Sequence, residues 1–172
     1  NSNILSDYRT SKNTWINLDY NQKTEEISKR VSKITNLPWF NQEDIQILKY
    51  DIGDYYKCHY DNSVGKDNDI GKSGPRIYTF FVYLNDVEKG GETFFPNVDL
   101  KFKPKRGMAI LFKNTLDNNN IHPCSLHEGI PPMSGKKWAM NIWVREKNFQ
   151  PKNPIKRFFK KMFFRTGLYL FR

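Results

Sequence analysis

Arg76-Ile77-Tyr78-Thr79-Phe80-Phe81-Val82-Tyr83-Leu84 is an unbroken run of aromatic and branched side chains, closed by Gly74-Pro75 before it and Asn85-Asp86 after it. That composition between those punctuating residues reads as a strand. Ile45 to Tyr50, Tyr56 to Asp61, Met108 to Phe112 and Trp138 to Arg145 have the same character, again separated by Gly, Asn, Asp and Pro. Several short strands with few helices between them imply an antiparallel sandwich or barrel. One helical pattern precedes them. Thr24 to Thr35 places Ile27, Val31 and Ile34 on one face, with Glu25 and Glu26 in the first turn and Lys29, Arg30 and Lys33 later, matched to the helix dipole. Leu37-Pro38 ends it, because the residue before proline avoids the helical region. The expected class is mainly β with flanking helices (α+β), the β core packed on the N-terminal helix.

At 172 residues the chain reads as one domain with a sizeable core, and no apolar run approaches the roughly 20 residues of a membrane span. It begins at Asn1, which leaves room for an upstream signal or anchor. Of the net charge of +10, seven units sit between Pro151 and Arg172, where no acidic residue occurs, so the body carries only +3. A charge confined to a tail weighs against a nucleic-acid substrate. The tail itself reads as a helix. Ile155, Phe158, Phe159, Met162 and Phe163 fall on one side and Lys156, Arg157, Lys160 and Lys161 on the other. Such a helix either lies on an anionic membrane or a partner protein, or docks its aromatic face on the sheet. Residues 1–150 are therefore assigned to one domain and 151–172 to a basic, aromatic, helical tail.

Two polar loops interrupt the strands. Val64 to Pro75 is either a lid or a solvated connection, and Asn114 to Asn120 carries no chemistry that its composition names. Cys58 and Cys124 match no zinc motif. Each lies close in sequence to a histidine, so they either meet in a disulfide or remain free thiols buried as small hydrophobes.

His59-Tyr60-Asp61 carries the chemistry. Residues two apart on a strand share a face, so His59 and Asp61 can bind one metal while Tyr60 points away. A third ligand must come from His122 or His127, the only other histidines. Two imidazoles and one carboxylate leave open positions, the arrangement of non-haem Fe(II) oxygenases. A closed structural zinc site prefers four protein ligands. Lys137 adds a cation. Lys137, Ala139, Asn141 and Trp143 alternate onto one face of the last strand, a set unsuited to a dry core and suited to a polar pocket. A buried ammonium requires an anion, and a dicarboxylate bound to iron at its other end would supply one.

Taken together, these residues resemble a prolyl 4-hydroxylase of the 2-oxoglutarate- and Fe(II)-dependent dioxygenases, across roughly Leu5 to Glu146. The matching stretches are Arg9-Thr10-Ser11, Leu37-Pro38, Tyr50-x-x-Gly53-x-x-Tyr56-x-x-His59-x-Asp61, Arg76, Tyr83-Leu84-Asn85, Gly90-Gly91-Glu92-Thr93-x-x-Pro96, and His127-x-Gly129-x-Pro131-x-x-x-Gly135-x-Lys137-Trp138-x-x-x-x-Trp143. Their order and spacing are specific where each piece alone is weak. The resemblance implies a double-stranded β-helix (jelly roll) and an Fe(II)- and 2-oxoglutarate-dependent hydroxylation of proline in a proline-rich or collagen-like chain. Dioxygen would be the oxidant, ascorbate a helper, and succinate and carbon dioxide the by-products. It implies that His59, Asp61 and His127 hold iron, that Lys137 with Thr93 takes the distal carboxylate of 2-oxoglutarate, and that Tyr50 lies alongside. Tyr56, Arg76 and Trp143 match positions lining the proline pocket. Read without the resemblance, Thr93 is a turn hydroxyl, Tyr56 a core aromatic and Arg76 a surface charge.

Three positions depart from the pattern. Arg145 stands where many relatives carry histidine, Cys58 where a proline is common, and Pro132 where a small aliphatic residue is usual. None of the three is a ligand. A non-catalytic peptide-binding module would be expected to have lost the triad, and here the triad, Lys137 and Thr93 are all present. The resemblance leaves the compartment open between the secretory pathway and a viral or bacterial cytoplasm.

Overall fold

The computed structural model describes residues 8–62 and 72–150. Most of the expected lid loop and the whole of the tail helix lie outside the described residues. In chain order the elements are β1 (Lys12–Ile16), α1 (Gln22–Thr35), β2 (Ile45–Tyr50), β3 (Tyr56–His59), β4 (Arg76–Tyr83), β5 (Thr93–Phe95), β6 (Leu100–Phe102), β7 (Ala109–Lys113), β8 (His127–Gly129) and β9 (Lys137–Arg145). The strands form a five-stranded sheet, β1-β2-β9-β4-β7, and a four-stranded sheet, β3-β8-β5-β6. Every pair is antiparallel. This is the jelly-roll arrangement that the resemblance implies.

All five expected strands exist, with ends shifted by at most two residues. β3 stops at His59 rather than Asp61 because its neighbour β8 begins at His127, directly opposite His59, so nothing lies across from Tyr60 and Asp61. β1, β5, β6 and β8 were not expected. Three of them have only three residues, too few for a period of two to show, and β1 is a polar edge strand.

Alternation divides β2 and β9 between two cores. Ile45, Met140, Ile142 and Val144 point outward and pack with Val31 of α1 and Leu18. Leu48, Tyr50 and Ala139 point inward and meet Phe95 of the opposite sheet, Phe81, Tyr83 and Ile110. Helix α1 starts two residues earlier than expected, at a capping box. The Asn21 side chain accepts from the Thr24 amide (3.0 Å) and Thr24 Oγ1 accepts from the Asn21 amide (3.1 Å). It ends at Asn36, whose left-handed conformation (φ 53°) suits a residue with a short polar side chain. The buried stripe runs through Ser28, Val31 and Thr35. Ile34, expected on that face, is 56% exposed. The stripe is rotated because Gln42, wholly buried, donates to the Ser28 carbonyl (2.9 Å) and to Ser32 Oγ (2.8 Å), pulling a polar edge of the helix inward.

A tight approach sets the start of β5. Gly90 has φ +72°, and a Cβ there would run into the Pro131 carbonyl oxygen; Gly91 donates its amide to that same oxygen (3.0 Å). Only glycine permits this. The contact holds Thr93 beside β8, where it pairs with Gly129. Cys58 and Cys124 are both free and exposed, which corrects the expectation that free thiols here would be buried. The Cys58 thiol donates to Glu128 (3.4 Å) at the surface.

Candidate active site

His59 and His127 face each other across the β3–β8 pair, with ring centroids 4.2 Å apart. Asp61 lies just past the end of β3. Its Oδ1 is 3.6 Å from His59 Nε2, and its Oδ2 is 3.8 Å from His127 Nε2. One ligand atom from each of the three lies within 4.8 Å of the others. His122, the other candidate for third ligand, instead accepts the Cys124 amide at Nδ1 (3.2 Å) and caps a short helical turn.

The outer nitrogens of the two imidazoles are fixed in the same way. His59 Nδ1 lies 2.8 Å from the Lys57 carbonyl oxygen, and His127 Nδ1 lies 2.8 Å from that of Ser125. A carbonyl only accepts, so Nδ1 carries a proton in each ring, and Nε2, the nitrogen turned toward Asp61, is the one left to a metal. Rings hold both in place: Tyr56 stacks on His59 at 3.6 Å, and Phe95 stacks on His127 at 5.5 Å. Burial pushes the Asp61 carboxyl up, but His127, His59 and the Thr79 hydroxyl overcome it and hold the group well below the usual carboxylate range. Burial lowers the His127 imidazole, against an upward pull from Asp61. One carboxylate and two imidazole nitrogens converge without a fourth protein ligand among the described residues, a donor set that suits ferrous iron with open positions.

Lys137 stands on the other sheet, opposite Tyr50 in the β2–β9 register. It is 1% exposed, and no carboxylate among the described residues forms an ion pair with it. Its ammonium sits over the rings of Tyr50 (4.6 Å), Phe81 and Tyr83 (both 5.5 Å). Burial lowers its pKa to about 7, against a smaller upward pull from Glu92. Tyr50, 3% exposed and raised by burial, leans on Gly129, where a Cβ would come within 3.3 Å of its hydroxyl. Thr93 is buried in β5; the Tyr83 hydroxyl gives its one proton to the Phe102 carbonyl (2.7 Å), so Thr93 Oγ1 donates to the Tyr83 oxygen (2.7 Å). It is not a turn hydroxyl. Tyr50, Thr93, Lys137, Tyr56, His59 and His127 line one cavity between the sheets.

Arg76 and Trp143 stand beside that cavity rather than in its wall. The Arg76 guanidinium lies 3.7 Å over the Trp143 ring, donates to the Asp61 carbonyl (3.1 Å) and is paired through two bonds (2.6 and 2.9 Å) with Glu43. Burial would lower it, but Glu43 raises it. Arg76 is therefore no surface charge. Arg145, the departure from the family's histidine, donates to the same Glu43 carboxylate (2.8 Å) and to the Gly74 carbonyl (2.9 Å). Sequence reasoning missed Glu43 and Gln46. Gln46 lies opposite Asn141 across β2 and β9, and both line the cavity. Alternation outward from Tyr50 was the signal that would have found Gln46. For Glu43, two residues before β2 and outside any strand, there was none.

Comparison with known proteins follows the same geometry. The sequence profile of the 2OG-Fe(II) oxygenase superfamily matches residues 45–145. The chain is 38% identical over 146 residues to a protein of Acanthamoeba polyphaga mimivirus that carries a prolyl 4-hydroxylase name, covering 82% of this chain and 60% of that one. It is 35% identical over 166 residues to prolyl 4-hydroxylase 2 of Arabidopsis thaliana, covering 84% and 55%. It thus spans less than two thirds of the length of these curated relatives. Its fold matches the viral collagen prolyl hydroxylase of Paramecium bursaria Chlorella virus-1, solved with 2-oxoglutarate, with a TM-score of 0.72, 33% identity and 80% coverage of each chain. A Pseudomonas putida prolyl-4-hydroxylase shares the fold at a TM-score of 0.60 and 17% identity, over 83% of this chain and 75% of that one. By sequence profile, identity and fold, the chain belongs to the prolyl 4-hydroxylase family of the 2OG-Fe(II) oxygenase superfamily.

Proposed function

We propose that this chain is a prolyl 4-hydroxylase that acts on peptidyl proline in a proline-rich or collagen-like substrate. One observation carries the reading: two imidazoles, clustered with a carboxylate, face across a single cavity a buried lysine that no carboxylate among the described residues neutralises. His59, Asp61 and His127 would hold Fe(II), and Lys137, with Thr93 and Tyr50, would hold 2-oxoglutarate. Together with dioxygen these groups supply the oxidising power, with 2-oxoglutarate leaving as succinate and carbon dioxide. Ascorbate is the expected helper, as in the family.

The chain's own residues do the rest. The carbonyls of Lys57 and Ser125 fix both imidazole tautomers, so that Nε2 alone is offered inward. Lys137 supplies a charge at a fixed distance from that triad, which sets the length and the dianionic character of the co-substrate it accepts. The rings around its ammonium keep water from competing for it. Tyr56, on the exposed side of His59, offers a ring edge to an incoming proline. Arg76, with its carboxylate partner and its indole platform, keeps the backbone of Asp61 in place on that side. The tail, 151–172, is proposed to contact a membrane surface or a partner protein and to take no part in the reaction.

Mass spectrometry of proline-rich and Gly-x-Pro peptides after incubation with Fe(II), 2-oxoglutarate and ascorbate tests the proposal. A gain of one oxygen on proline is expected. An unchanged peptide, with 2-oxoglutarate left unconsumed, would refute it.

A further inference from the structure

Behind Asp61 lies a buried pair of polar side chains that the reaction does not call for. Thr79, 1% exposed on the inward face of β4, donates its hydroxyl to Asp61 Oδ2 (2.7 Å). Asn114, wholly buried, donates its amide to Thr79 Oγ1 (2.8 Å). The directions are fixed by chemistry. An ionised carboxylate only accepts, so the threonine proton must point to Asp61, and the threonine oxygen must then accept from the Asn114 amide. Asn114 is itself pinned by its main chain, its N–H donating to Ile77 (2.8 Å) and its carbonyl accepting from His122 (2.9 Å).

A buried threonine needs no such partner, because its hydroxyl can be satisfied by a carbonyl of its own strand. Nor does Asn114 settle its own needs here. Its Oδ1 is buried with no hydrogen-bond partner among the described residues. A buried amide with one end unsatisfied is disfavoured on stability grounds, so the arrangement is better explained by what its other end holds. What it holds is one oxygen of the carboxylate. With Oδ2 engaged by Thr79, Oδ1, at 3.6 Å from His59 Nε2, is the oxygen left to a metal.

We infer that Thr79, oriented by Asn114, is a positioning residue that fixes Asp61 to offer a single oxygen to the metal. The inference rests on the proposed ligand set. It is a link between the sheets, since Thr79 belongs to the five-stranded sheet and the two histidines to the four-stranded one. Outer partners of metal ligands commonly carry this function.

The test is Mn(II) binding to the metal-free full-length chain, measured by titration calorimetry without co-substrate or turnover. Thr79→Val, nearly isosteric, should weaken Mn(II) binding about 10- to 100-fold, and Thr79→Ser, which restores the hydroxyl, should recover most of it. Asn114→Leu should weaken it by a smaller factor, because Thr79 keeps its hydroxyl but loses its orientation. Circular dichroism establishes that each variant is folded at the temperature of titration. Should Thr79→Val be unfolded there, Asn114→Leu decides alone. A folded variant lacking either group that binds Mn(II) as tightly as the wild type overturns the inference and leaves the ligand set standing. A wild-type chain that takes up no Mn(II) overturns the ligand set itself, and the inference with it.

Discussion

Lys137 is where a single side chain decides most about the chemistry. Its ammonium is buried among three rings with no ion-paired carboxylate among the described residues, so an incoming dianion meets a charge already stripped of water. Lys137→Ala should raise the 2-oxoglutarate requirement at least about 30-fold, since removing one partner of a buried charge pair costs roughly 2–5 kcal/mol. Mn(II) binding should persist, and an unchanged 2-oxoglutarate KM would contradict the assignment. The same residue gives a pH signature. In the ligand-free fold Lys137 loses its proton near pH 7, whereas the unfolded chain holds it to about the ordinary value of 10.5. Between those limits the unfolded state binds more protons, so this group's penalty on stability is full below pH 7 and is relieved as the pH rises. Co-substrate binding needs the charged form and works in the opposite direction. At pH 8, 2-oxoglutarate binding should take up a proton, about one per site at most, and its affinity should fall as pH rises further. Calorimetry in two buffers of different ionisation enthalpy reads this directly, and the uptake should vanish in Lys137→Ala.

At the scale of elements, helix α1 tests how the outer core is assembled. Val31 is wholly buried against Ile45, Met140 and Ile142, so Val31→Ala should destabilise by about 2 kcal/mol through lost burial and the cavity left behind. Ile34→Ala should fall within about 0.5 kcal/mol of zero, because that side chain is largely in water. Periodicity alone put both on one face, and urea melts of the two variants distinguish the faces. The helix itself was legible from its charges and apolar spacing; its rotation was not, because Gln42 lies outside the helix and nothing in the local pattern announces a buried amide. In the same way β2 and β9 could be read from their residues. β5 and β8, three residues each, became strands only by lying beside one another, with β6 beyond β5 and β3 beyond β8.

At the scale of the whole molecule, Gln150 ties the last described residues to the body. Its amide and that of Phe149 donate to the Phe40 carbonyl (2.9 and 2.8 Å), and its side chain donates to the Gln42 carbonyl (2.8 Å). A chain cut after Gln150 should keep its melting temperature and its peptide hydroxylation, whereas one cut after Lys147 should melt measurably lower for want of these bonds. Loss of folding on removing 151–172 would instead show that the tail packs on the body. Seven of the ten units of net positive charge lie in that tail, so the shorter chain should also lose most of any affinity for anionic vesicles.

Local order in the chain was enough to establish the strand-rich class, the amphipathic helix, the His-x-Asp pair and the inward lysine, because each depends on neighbours two to four residues apart whose side chains the backbone period orients. The spacing of the longer motif established the family. Which histidine completes the triad was decided by the β3–β8 pairing, that Arg76 and Arg145 share Glu43 by the β4–β9 pairing, and that Asn114 reaches Asp61 through Thr79 by the meeting of the two sheets. Those contacts join residues from about 18 to more than 100 positions apart, and their partners are chosen by register and by the demand that buried polar groups find one another.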